Sequence, residues 1–207
     1  MSEMQAAPFW DERYAATDGF VFGTAPNAFL AAQGRRLKPG DKALAVSDGE
    51  GRNGVWLAEQ GLQVLSIDVS APAQAKARRL AEARGVAMTV EQVDLTGWTW
   101  PDGEFDVVAA IFIQYAAPDL RARIFEGMRR ALRPGGLVLM EGYRPEQIAY
   151  GTGGPRVPEH LYDEAMLRAA FGDFEILELR SYDAAIEEGA GHSGMSALID
   201  LVARKPL

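Results

Sequence analysis

From about residue 42 onward, short apolar runs of strand length alternate with stretches of helical periodicity. This alternation limits the chain to strand–helix–strand units around a mostly parallel sheet. Residues 42–46 read as a first strand after the Pro39-Gly40-Asp41 turn, 54–60 as a helix stopped by Gly61, and 63–67 as a second strand. Ser70 caps a helix running to about Arg84, with Pro72 in its first turn and Gly85 just past its end. Residues 88–93 and 105–112 are the third and fourth strands. Leu120, Ile124, Met128, Ala131 and Leu132 recur at three- and four-residue spacing and make one apolar helix face. Pro134-Gly135-Gly136 ends that helix and opens a fifth strand at 137–141. A Gly/Pro-rich stretch at 143–158 precedes a helix at 163–171, a strand at 174–182, a loop at 184–194 and a last strand at 197–203. No helix separates the last two strands, so they pair as a hairpin and the final strand runs antiparallel. The expected fold is α/β: a doubly wound, seven-stranded, mostly parallel, Rossmann-like sheet with an antiparallel last strand. Residues 1–40 break the rhythm and read as an N-terminal cap on a 41–207 core, one domain in all.

Composition removes several classes of function. With 207 residues, 48% hydrophobic and 24% charged, the chain can bury roughly 70% of its unfolded surface without staples. The absence of cysteine excludes disulfide scaffolds, Cys-ligated metals and thiol nucleophiles. The two histidines, His160 and His192, stand 32 residues apart, so no metal site is expected. A net charge of −8 with a pI near 4.9 argues against a nucleic-acid partner. The start Met-Ser-Glu-Met-Gln does not read as a signal peptide. The longest apolar run, 107–113, falls far short of the roughly 20 residues of a membrane helix. The expectation is a cytoplasmic protein, monomer or homodimer, with no membrane partner.

In such sheets ligands sit outside the carboxyl ends of the strands. That rule selects loops 47–53, 68–71, 94–102, 114–118, 143–158 and 184–194. The most telling is Ser47-Asp48-Gly49-Glu50-Gly51-Arg52-Asn53-Gly54, between the first strand and the first core helix. Its glycines permit positive φ and close approach of a ligand, and the helix start favours an anion. Asp68 ends the second strand and can accept both hydroxyls of a ribose. Gly49-x-Gly51-x-x-Gly54 with Asp68 also satisfies the dinucleotide fingerprint. A nicotinamide dinucleotide and S-adenosylmethionine therefore compete, and three features favour the second. Phe105-Asp106 leads into the fourth strand, and Leu132-Arg133-Pro134-Gly135-Gly136 into the fifth. Val93-Asp94-Leu95 sets an acid where it can meet an adenine amino group. No Tyr-x-x-x-Lys pair and no second domain are present for hydride chemistry.

Further pieces are Trp10-Asp11-Glu12-Arg13-Tyr14, Phe22-Gly23-Thr24-Ala25-Pro26-Asn27, Glu141-Gly142-Tyr143 and Tyr150-Gly151-Thr152-Gly153-Gly154-Pro155, with the ending Leu201-Val202-Ala203-Arg204-Lys205-Pro206. In this order and spacing, the chain resembles the class I S-adenosylmethionine-dependent methyltransferases over nearly its whole length. It is most similar to the small bacterial branch of tellurite-resistance-type and thiopurine-type enzymes. The resemblance implies S-adenosyl-L-methionine as cofactor, with Gly49 and Gly51 under its methionine part, Asp68 on its ribose and Asp94 with Leu95 on its adenine. Trp10 and Tyr14 would cover the pocket, and Ser47, Asp48, Arg52, Asn53, Val69 and Ile111 complete the implied cofactor set. The implied activity is in-line methyl transfer to a small-molecule acceptor such as a thiol, a chalcogen or another soft nucleophile.

The chain departs from the family's Asp-x-Gly-x-Gly-x-Gly pattern at two places: the leading Asp is Ala45 and the first Gly is Ser47. A positive φ at Ser47 would store about 1–3 kcal/mol of strain. Asp48 stands where it can partly replace the missing carboxylate. The departures keep a second reading open, a non-catalytic binding protein of the same fold, beside a nicotinamide-dependent oxidoreductase.

Methyl transfer rests on alignment and exclusion of water, and a thiol acceptor needs little help from a base. Gln114 and Tyr115 end the fourth strand beside the expected sulfonium. The run Ile113-Gln114-Tyr115-Ala116 replaces the Asn/Asp-Pro-Pro-Tyr motif of nucleic-acid amino-methylating relatives, which points to a small acceptor. Gln114, Tyr115 and Tyr143 are the candidate acceptor contacts, with Tyr143 equally readable as a packed aromatic. His192, in the loop entering the last strand, reads as a base, an acceptor contact or a backbone-bonded loop histidine. His192 and Tyr143 are the catalytic candidates, whereas His160 reads as structural. Residues 143–158 form either a lid or a rigid cover, and Trp98 with Trp100 either an adenine stack or a hydrophobic plug.

Overall fold

Strands buried on both faces need apolar residues at successive positions, and β1 (Lys42–Val46), β4 (Phe105–Ile111) and β5 (Leu132–Tyr143) supply them. Leu44, Val46, Val108, Ala110, Val138 and Met140 point to one face and pack with Ile124, Met128, Leu167 and Phe171. Their alternates Ala43, Val107, Ala109, Leu137 and Leu139 point to the other face and pack with Phe29, Leu30 and Leu57. The period of two along each strand thus builds two cores from one sheet.

The computed structural model describes residues 6–189 and 191–207. The sheet has seven strands in the order β3-β2-β1-β4-β5-β7-β6. Here β2 is Gln63–Asp68, β3 Thr89–Gln92, β6 Glu175–Glu187 and β7 Ser193–Arg204. β7 is antiparallel to both of its neighbours, and the remaining pairs are parallel. The helices are α1 (Ala6–Ala15), α2 (Ala28–Ala32), α3 (Arg52–Glu59), α4 (Ala71–Arg84), α5 (Pro118–Ala131), α6 (Gln147–Tyr150) and α7 (Glu164–Phe171). The doubly wound, seven-stranded arrangement is the one expected. So is the α4 cap, where Ser70 accepts from the Ala73 amide at 3.3 Å. No helix among the described residues is long and apolar enough to cross a membrane.

Two local expectations are corrected. α5 ends at Ala131 and β5 begins at Leu132, because Leu132 already pairs with Phe105 before a register shift carries the ladder to Leu137. The expected loop at 184–194 is mostly strand: β6 and β7 pair out to Glu187 and Ser193. Exposed Asp183, Ala185 and Glu187 alternate with half-buried Tyr182, Ala184 and Ile186 and give the two-residue period of a half-solvated hairpin, which the neighbouring glycines masked. The 143–158 stretch is pinned rather than free. Gln147 accepts from the Ala197 amide at 2.8 Å, and Thr152 donates to the Met195 carbonyl at 2.5 Å. Trp100 is buried against Gly127 of α5, so it is the plug and not an adenine stack.

Candidate functional site

The order of strands reverses direction between β1 and β4, and the crevice at their carboxyl ends is where such sheets place a ligand. Both strands end there on a strained residue. Ser47 has φ +49° and Phe112 φ +56°, the two described non-glycine residues with positive φ. A left-handed phenylalanine is a true outlier, and such strain clusters at functional sites. Phe112 is held by its amide, which donates to the Glu141 carbonyl at 2.8 Å, and by stacking on Tyr143 at 4.6 Å.

A cavity of about 180 Å³ opens over this crevice. Trp10, Tyr14, Ser47, Asp48, Gly49, Arg52, Asn53, Asp68, Val69, Asp94, Leu95 and Ile111 border it, so twelve of the thirteen expected cofactor residues come together. The exception is Gly51. With φ +84°, its α-carbon faces α4, and an added Cβ would stand 2.6 Å from the Cβ of Ala77. Gly51 packs against helix α4.

Asp68 anchors the loop. Its Oδ2 accepts from the Gly49 amide at 2.9 Å and its Oδ1 from the Ser70 amide at 2.8 Å. A carboxylate offers about four acceptor positions, so roughly two remain for a ligand's hydroxyls. Burial pushes its pKa up to about 6. Around it, Val69, Leu95 and Ile111 give the apolar walls an adenine needs, and Asp94 lies exposed at the rim. These residues fit an adenosyl group with a cationic tail.

Asp48 borders the cavity, yet its carboxylate turns inward. It accepts from the Gly54 amide at 3.1 and 3.2 Å and from the Ser66 hydroxyl at 2.7 Å. Ser66 is the register partner of Ala45. Asp48 thereby ties the loop to the strand position beside Ala45. Burial is the main cause that pushes the Asp48 pKa up to about 7.

The sign of the pH effect follows. The folded state keeps a proton on Asp48 up to about pH 7, whereas the unfolded chain releases it near 3.8. Stability from this group is complete below the unfolded value and is lost as pH rises through the folded one. The unliganded protein is expected to melt at a lower temperature at pH 8 than at pH 5. Asp48→Asn should flatten that slope, which is at most about 1.4 kcal/mol per pH unit for one group. An Asp48→Asn variant that keeps the full slope of the unaltered protein contradicts the assignment.

Two residues missed in the sequence tie the N-terminal segment to this loop. Glu50 accepts from the amides of Val21 and Phe22 at 3.0 and 3.1 Å and pairs with Lys76 at 2.9 Å. Asn27 caps α2 through Leu30, and its Nδ2 donates to Glu141 at 2.6 Å and to Glu188 at 3.0 Å. Glu188 also holds Arg52 at 2.6 Å. The Phe22–Asn27 motif is thus a polar clasp that seats the cap. Over the Gly-rich loop the cap presents Tyr14, its hydroxyl 2.6 Å from where a Cβ on Gly49 would stand, stacked on Trp10 at 5.6 Å.

A second chamber of about 260 Å³ adjoins the first. Trp10, Phe22, Phe112, Tyr115 and His192 border both. Of the expected acceptor contacts, Tyr115 and Tyr143 contribute to its wall. Gln114 lines it too, but its amide is taken, donating to the Tyr143 carbonyl at 2.8 Å and accepting from the Tyr143 amide. His160, expected to be structural, also lies on this wall. His192 sits edge-on to Phe22 and Phe112 at 4.7 and 4.4 Å. Burial, with Arg52 and Arg13 nearby, pulls its pKa down to about 3, so the imidazole is neutral. Its Nδ1 is buried without a partner among the described residues.

A methyltransferase-domain family model matches residues 43–136. The chain is 34% identical over 113 residues to the demethylmenaquinone methyltransferase of Thermus thermophilus, covering 53% of this chain and 51% of that one. It therefore spans about half the length of that relative. It is 30% identical over 183 residues to the protein YjhP of Escherichia coli, covering 83% of this chain and 67% of that one. Its fold matches a S-adenosylmethionine-dependent methyltransferase structure from Methanosarcina mazei, with a TM-score of 0.70 and 18% identity, over 88% of this chain and 99% of that one. The chain belongs to the class I S-adenosylmethionine-dependent methyltransferases, a family whose cofactor is S-adenosylmethionine. The family match decides between the two cofactors that the Gly-rich loop alone left open.

Proposed function

We propose that this chain transfers the methyl group of S-adenosylmethionine to a small-molecule acceptor held in the second chamber. The observation that carries this reading is the shared wall between the two chambers, with His192 on it. Asp68 would hold the ribose, Val69, Leu95 and Ile111 the adenine, and the backbone of 47–49 the amino-acid end. S-adenosylmethionine supplies an electrophilic methyl group there and leaves as S-adenosylhomocysteine. Trp10, Phe22 and Phe112 exclude water from the shared wall, which keeps the nucleophile poorly solvated and reactive.

His192 would meet the acceptor as a neutral imidazole that aligns it. With so weak a base at the wall, an acceptor that ionises unaided, such as a thiol, is favoured over an alcohol. That supports the soft-nucleophile reading, a thiol or chalcogen, which the motif resemblance also implies. The demethylmenaquinone methyltransferase match supports an acceptor of small-molecule size.

The test is methyl transfer to a small aromatic thiol with labelled S-adenosylmethionine. His192→Ala is expected to lower kcat by roughly 10-fold, as for the loss of a group that aligns the acceptor. Unaltered turnover in that variant would remove His192 from the chemistry.

A further inference from the structure

The two chambers differ in charge. Asp48, Glu50, Asp68 and Asp94 border the first, Glu50 paired with Lys76 and Asp48 bonded inward to Ser66, against one arginine, Arg52, that is already paired with Glu188. No aspartate or glutamate lines the second, whose permanent charges are Arg13 and Arg156. Neither of these arginines makes a hydrogen bond or ion pair among the described residues. The chain carries a net charge of −8, so a carboxylate-free chamber with two unpaired guanidinium groups is a marked local reversal. Such a reversal draws an anion, while the acidic chamber beside it draws a cation.

The position of Arg13 is fixed independently of any ligand. Its guanidinium lies 5.6 Å from the Trp10 ring and 5.1 Å from the Phe22 ring. Its Nη2 is 2.8 Å from where a Cβ on Gly191 would stand. All three of these residues line the second chamber. A guanidinium held by aromatic faces keeps its planar fork of donors for a carboxylate. Phe9, Phe112 and Tyr143 contribute rings to the same wall. Flat rings suit a planar body with a hydrophobic face.

We infer that the acceptor is a planar aromatic molecule bearing an anionic group, with a carboxylate as the fitting case. Arg13 and Arg156 receive the anion, and the ring lies among Phe9, Phe112 and Tyr143. This rests on the methyl-transfer reading above for the identity of the bound molecule as acceptor. The anion site itself does not depend on turnover.

The test therefore separates binding from chemistry. Calorimetry compares 2-naphthoate with its neutral counterpart 2-naphthalenemethanol, with and without saturating S-adenosylhomocysteine. The carboxylate is expected to bind at least about tenfold more tightly, the lower range for a charge-assisted hydrogen bond. In the double variant Arg13→Gln, Arg156→Gln the ratio should fall to within about threefold of unity. If loss of Arg13 unseats the cap, Arg156→Gln alone, on the exposed rim, should still lower the ratio about threefold, with an unchanged melting curve. Equal or tighter binding of the alcohol by the unaltered protein overturns the inference, as does a preference that survives both variants. Methyl transfer to 4-mercaptobenzoate and to thiophenol is followed separately. Anion preference without any transfer would refute the methyl-transfer reading and leave the anion site standing. Transfer to both thiols with no preference would refute only the anionic acceptor.

Discussion

Asp68→Ala is expected to weaken S-adenosylhomocysteine binding by roughly 100-fold, about 3 kcal/mol, the upper range for removing a charged hydrogen-bond acceptor. Two losses combine at this one position. The ribose hydroxyls lose their acceptor, and the Gly49 amide loses the oxygen that holds it at 2.9 Å. The fold should survive, because ionised Asp68 is itself buried at a cost, as its pKa of about 6 records. Calorimetric titration alongside a thermal melt separates the two effects. Asp68→Asn keeps one acceptor oxygen and should fall between. A folded Asp68→Ala protein with an unaltered dissociation constant would show that the carboxylate braces the loop and touches no ligand.

The second large effect is on stability. Gly51→Val is expected to destabilise the protein by about 3–5 kcal/mol, a large share of the 5–15 kcal/mol that holds an ordinary domain. The new side chain would have to adopt φ +84° and place its Cβ 2.6 Å from Ala77 Cβ and 2.9 Å from Ala77 Cα. Backbone and helix α4 would both have to move. Ala77→Gly should rescue part of the loss in Gly51→Ala, since it removes the Cβ contact and leaves the dihedral strain. Denaturant melts of the two single variants and the double variant measure the coupling. Independent, additive losses would mean that Gly51 is needed for its φ alone.

The sheet was legible because its strands are buried on both faces, which forces near-continuous apolar runs at Leu44–Val46 and Val107–Ala110. The capped helix from Ser70 to Gly85 was legible because the cap residues act locally. The β6–β7 hairpin was less so. Its half-exposed alternation is weak, and Gly189, Gly191 and Gly194 suggested a loop over residues that pair across the ladder. That twelve of the expected residues meet at one chamber was readable because strand ends and the Gly-rich loop fix them along the chain. The packing of Gly51 on Ala77 was not, because the two are distant in sequence. The clasp of Asn27, Glu141, Glu188 and Arg52 joins four segments, and no spacing in a single sequence encodes such a meeting. The consequence of Ala45 needed coordinates for the same reason: Asp48 reaches Ser66, on the neighbouring strand.

The altered loop, tied to β2 through Asp48 and Ser66, is expected to hold S-adenosylmethionine despite Ala45 and Ser47. The decisive measurement is isothermal titration of the unaltered protein with S-adenosylhomocysteine. One molecule bound per chain with a micromolar dissociation constant is the predicted result. A flat titration at ligand concentrations up to the millimolar range would contradict the claim and favour a protein that has kept the fold without the chemistry.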